Sequence, residues 1–98
     1  MTGGVRARAK THMEFTLVGL GLTDAAAESL RHQVDTLHQT APYPLPELEW
    51  CCTVAAAATH RRDPWPVVEA CVTLAGYTGS LVTATRSVAA MVASRRAR

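Results

Sequence analysis

The sequence predicts an α+β fold with the order β-α-β-β-β-α: one four-stranded sheet with two helices packed on one face. Three observations lead there. Residues 24–38 carry apolar side chains at helical spacing, segments 48–58 and 67–75 alternate with period two, and Gly76-Tyr-Thr-Gly79 separates the last two predicted strands. The predicted domain spans 13–94, between a flexible basic arm (1–12) and a basic C-terminal end (95–98).

Each element has its own justification. Residues 1–12 show no periodicity and contain Gly3-Gly4, which reads as an arm. Residues 14–22 (EFTLVGLGL) favour a short strand in which Gly19 and Gly21 permit a bend. Thr23 or Asp24 then caps a helix over 24–38, with Ala27, Leu30, Val34 and Leu37 on one stripe. Glu28, Arg31, His32 and Asp35 occupy the other face, with Glu28–His32 and Arg31–Asp35 as i,i+4 pairs. Pro42, Pro44 and Pro46 make the following segment extended.

In 48–58, Leu48, Trp50, Cys52 and Val54 alternate with Glu49, Cys51 and Thr53; the alanine run that follows fits strand or helix. THRRDPWP reads as a turn. In 67–75, Val68, Ala70, Val72 and Leu74 are predicted to face inward, and Glu69, Cys71 and Thr73 outward. A hairpin at 76–79 returns the chain through strand 80–86. Ser87 opens a last helix with Val88, Met91 and Val92, of which Met91 and Val92 are predicted buried with Leu30 and Val34.

Composition bounds the classes. Ninety-eight residues, 48% hydrophobic and 18% charged, suit one folded domain. Alanine dominates the apolar fraction and there is one Phe, so Phe15, Trp50 and Trp65 are expected to supply much of the burial. Cys51, Cys52 and Cys71 are an odd set without zinc-type spacing; they fit a reducing, cytoplasmic setting with no disulfide. Basic residues 6–10, the apolar run 15–22 and Ala25–Ala27 imitate a signal peptide, but Glu14 and Asp24 interrupt the pattern. No apolar run reaches membrane-spanning length.

Charge is strongly segregated. Arg6, Arg8, Lys10, Arg95, Arg96 and Arg98 place a formal +6 at the two ends. Between them, Arg31, Arg61, Arg62 and Arg86 face all eight carboxylates, a formal −4, and the whole chain is +2. A polyanion is attracted to the ends. Arg61-Arg62-Asp63-Pro64-Trp65 adds two cations beside an aromatic that can stack on a base or fold back onto the protein.

The predicted order, with the strand ending in Gly21-Leu-Thr-Asp24, the helix striped by Leu30, Val34 and Leu37, the basic turn Arg61-Arg62, the strand 67–74 closed by a glycine turn, and Leu81-Val-Thr-Ala-Thr-Arg-Ser87 running into Val88-Ala-Ala-Met91, resembles the ribosome hibernation-promoting factors, also called ribosomal-subunit-interface proteins. The resemblance is to their short type. It implies a cytoplasmic, RNA-binding stress factor that regulates translation by occupying the messenger and transfer RNA path of the small ribosomal subunit. It assigns contact with ribosomal RNA to Arg6, Arg8, Lys10, Arg31, Arg61, Arg62, Arg95, Arg96 and Arg98.

Enzymatic chemistry is not predicted. Cys51 or Cys52 with His60 and Asp63 are the residue types of a thiol hydrolase, but neighbouring strand residues face opposite ways, so at most one of the two thiols can join any given site. His32 and His38 do not share a helix face, and Gly19-Leu-Gly21 is no phosphate loop, so neither metal nor cofactor is expected. The rival reading is a small non-enzymatic assembly subunit that homo-oligomerises or docks on a protein partner, which the acidic body and small side chains favour.

Overall fold

Thr11 is an N-cap, and it begins the helix α1 (His12–Gly19) where the sequence predicts a strand. The Glu14 N–H donates to Thr11 Oγ1 at 3.3 Å, and the Thr11 N–H donates to Glu14 Oε2 at 2.6 Å. This reciprocal capping box satisfies two otherwise orphaned N–H groups. The helix ends at Gly19 with Leu20 as its C-cap, and Gly21 follows with a φ of 104° that suits glycine. Gly21 N–H bonds Val18 O at 2.9 Å and Leu22 N–H bonds Leu17 O at 3.1 Å, a Schellman closure.

The computed structural model describes residues 9–60 and 63–96, and among these all regular structure is helical. α2 (Asp24–His38) is capped by Thr23, whose hydroxyl accepts the Ala26 N–H at 3.1 Å. α3 (Leu45–Thr59) opens with Pro46 in its first turn and ends at His60 in the left-handed region, φ 52°. α4 (Trp65–Thr78) opens with Pro66 in its first turn and ends at Gly79, φ 80°. α5 (Leu81–Arg96) follows after Ser80, whose Oγ accepts the Thr83 N–H at 3.2 Å.

α3 packs against all four other helices, with α1 and α2 on one flank and α4 and α5 on the other. Its sequence is apolar on most of its circumference, as befits a helix with neighbours on several sides. Leu48, Cys51, Cys52, Ala55 and Ala56 are buried along it, joined to Met13, Leu17, Leu30, Val34, Val68, Cys71, Ala75, Leu81 and Ala84 in one core. Small residues at these junctions let the helices approach closely. The result is a slab of 51 × 32 × 17 Å.

The α+β prediction is therefore overturned: there is no strand, and no sheet, among the described residues. The helix over 24–38 is found with those bounds. Segment 14–22 is α1 and its closure, 48–58 belongs to α3, and 67–75 belongs to α4. The 76–79 hairpin is instead the last turn of α4 and its C-cap, and predicted strand 80–86 is continuous with the last helix as α5. Burial changes accordingly. Leu30 and Val34 are buried as expected, but Met91 is 54% exposed and Phe15 63% exposed, while Cys71, predicted outward, is buried. Trp50 and Trp65 are half-buried.

Candidate interaction surface

α1 places its apolar residues on two sides. Met13 and Leu17, i and i+4, enter the core. Phe15 and Val18, i and i+3, form an outer face, and Leu20 at the helix end is also exposed. The only phenylalanine of the chain thus faces solvent. Lys10 Nζ lies 6.0 Å from the Phe15 ring centroid and 2.5 Å from Asp24 Oδ1, so one cation and one anion flank this face.

Beside it lies a hollow of about 590 Å³, lined by Leu20, Leu22, Thr23, Ala26, Ala56 and His60. Its lining is mixed: Leu20, Leu22, Ala26 and Ala56 supply the apolar side chains, and Thr23 and His60 the polar ones. His60 sits there because α3 ends in a left-handed residue, its N–H bonding Ala56 O at 3.3 Å. Leu20 belongs both to the exposed apolar residues and to the lining of the hollow.

The basic residues assigned to RNA fare differently from one another. Arg31 is buried between α2 and α3, held by Asp35 Oδ1 at 2.9 Å and by Glu49 Oε2. The expected Arg31–Asp35 pair is present; the Glu49 pair, which turns the guanidinium inward, is an addition. Burial opposes the charge on Arg31, but the Glu49 hydrogen bond and both carboxylate charges outweigh it and raise its pKa. Lys10 is engaged by Asp24. Arg95 is exposed near the end of α5, and Arg96 also belongs to that helix. Arg6, Arg8, Arg61, Arg62 and Arg98 lie outside the described residues. The structure does not bring Lys10, Arg31 and Arg95 together on one helix: they belong to the segment before α1, to α2 and to α5.

The thiols are interior. Cys51, Cys52 and Cys71 are all free and buried. Burial, with a smaller contribution from the Asp63 charge, pushes the Cys52 thiol up to about 12. An unfolded thiol ionises near pH ~8.5. Between that pH and about 12 the unfolded chain sheds a proton that folded Cys52 keeps, so stability must fall as pH rises. The contribution from this thiol is about 1.4 kcal/mol per pH unit. Urea unfolding of the protein and of Cys52→Ala at pH 8 to 10.5 should show a shallower decline in the variant by that amount; parallel declines contradict the assignment.

Sequence reasoning expected Phe15 in the core and assigned Val18 and Leu20 to no surface, so the exposed face was missed. The signal that finds them is Thr11-His-Met-Glu14, the capping-box spacing immediately before the apolar run. Among the described residues no group of three or more His, Cys, Asp or Glu side chains is placed to hold a metal, and no helix is long and apolar enough to cross a membrane. The chain matches no protein-family model, no curated protein and no solved structure.

Proposed function

We propose that this chain is a non-enzymatic helical assembly module that pairs with a second copy of itself through the outer face of α1. The observation that carries the reading is the exposure of Phe15 with Val18 and Leu20, the last of which also lines the adjoining hollow. In a chain this poor in large apolar residues, leaving its one Phe in water forfeits about 2 kcal/mol of burial. Covering that ring in a complex recovers it. A second copy is the occupant we favour because this one region carries an exposed aromatic ring, a hollow, and both a cation and an anion. In the dimer we propose, a two-fold axis sets the Phe15 ring of one copy against the hollow of the other and Lys10 against Asp24.

The ribosome reading loses the strands on which its resemblance rests, and Arg31 is already engaged within the chain. Sedimentation velocity across a hundredfold concentration range tests the assembly reading. The protein should shift from monomer to dimer, and Phe15→Ser should remain monomeric at concentrations where the parent pairs. A salt-sensitive association with structured RNA that is lost in Arg95→Ala and kept in Phe15→Ser would overturn it.

A further inference from the structure

A second hollow, of about 280 Å³, lies between α1 and the first half of α3 and shares no lining residue with the one beside Leu20. Pro46, Glu49, Trp50 and Thr53 line it from α3. Their spacing is i, i+3, i+4 and i+7, so they form one face of that helix. Met13 and Thr16, i and i+3 on α1, line the other side.

Charge is unbalanced at this place. Arg31 meets two carboxylates, Asp35 at 2.9 Å and Glu49, so the three groups together carry a formal −1. Arg31 takes Oε2 of Glu49, and Glu49 makes no other hydrogen bond or ion pair among the described residues. Its side chain remains 27% exposed. No described lysine or arginine lines the hollow. The Thr16 hydroxyl donates to His12 O at 2.9 Å and the Thr53 hydroxyl to Trp50 O at 2.9 Å. Both hydroxyl protons are thereby used within their own helices, and what these groups have left to offer is lone pairs. The positive ends of α1 and α3 already hold Glu14 and Glu47 in their first turns.

We propose that this hollow binds a small organic cation of the methylated ammonium class. Glu49 supplies the counter-charge, the Trp50 indole an aromatic surface for the cation, and Met13 and Pro46 apolar contact for its N-methyl groups. Charge complementarity selects a cation, and the apolar share of the lining selects an organic one. His12 and Glu49 are the two lining groups able to ligate a metal ion, fewer than such sites take. The volume lies just below the range of roughly 300–1,000 Å³ usual for drug-sized ligands, so the ligand is little more than the ammonium head itself.

The test titrates the full chain with tetramethylammonium chloride at constant ionic strength and about pH 8, where imidazole is neutral, and follows backbone amide resonances. Residues 12–16 and 46–53 should shift along one saturable curve while 86–95 on α5 stay fixed. tert-Butanol, uncharged and of similar size and shape, should give no saturable shift. Trp50→Leu and Glu49→Gln should each weaken binding of the cation about tenfold. If Glu49→Gln does not fold, the comparison of cation with alcohol on the parent chain carries the charge test. Equal curves for cation and alcohol would overturn the proposal, as would shifts that never saturate or an unchanged affinity in Trp50→Leu.

Discussion

Leu48→Ala should lower the free energy of unfolding by about 2–5 kcal/mol. Leu48 is fully buried in the first turn of α3, the helix against which all the others pack. Truncation removes its transfer free energy and leaves a cavity that both flanks would have to move to fill. An exposed apolar residue of similar size supplies the control: Met91→Ala on α5, 54% exposed, should cost well under about 1 kcal/mol. Urea denaturation of both variants reads the difference. Equal small losses would mean that α3 is not the shared core element.

The second large effect belongs to the buried guanidinium. Glu49→Leu should destabilise the protein by about 2–3 kcal/mol, because Arg31 then keeps its burial and charge with Asp35 alone. The cost is asymmetric. Arg31→Leu removes the desolvated charge together with its partner's need for it, leaving Glu49 and Asp35 partly exposed to water. That replacement should therefore cost less than Glu49→Leu. The reverse ranking in denaturant unfolding would mean that the pair is held by its carboxylates and not by the buried cation.

These expectations rest on a fold only partly legible in the sequence. α2 was readable because its apolar residues occupy one stripe, Ala27, Leu30, Val34 and Leu37, with charge opposite. The other helices lack that segregation. In α3, Leu48, Trp50, Cys52 and Val54 alternate as in a strand, while Leu48, Cys51, Cys52, Ala55, Ala56 and Thr59 follow helical spacing. Both patterns coexist because the helix is apolar almost all round, and burial follows the second. Val67, Val68 and Val72 raise strand propensity in α4, and tertiary packing outweighs it.

Punctuation misled in the same way. Pro46 and Pro66 read as breakers, yet each occupies the first turn of a helix, where its missing N–H costs nothing. Gly79 reads equally as hairpin turn or helix C-cap, since both need positive φ. The candidate surface was hidden for a related reason. Whether Phe15 points in or out depends on the period assumed for 12–19, and only the Thr11–Glu14 capping spacing decides it. Arg31 was legible as Asp35's partner, but its second partner, Glu49, comes from a neighbouring helix that local sequence does not place.

Pairing of two copies through α1 is tested most directly by following backbone amide resonances as the protein is diluted. The account predicts that shifts of residues 12–26 and 56–60 move together along one binding isotherm, while those of 86–95 on α5 stay fixed. Phe15→Ser should show the dilute-limit positions at every concentration. Shifts that are independent of concentration, or that move on α5 and not on α1, would contradict it.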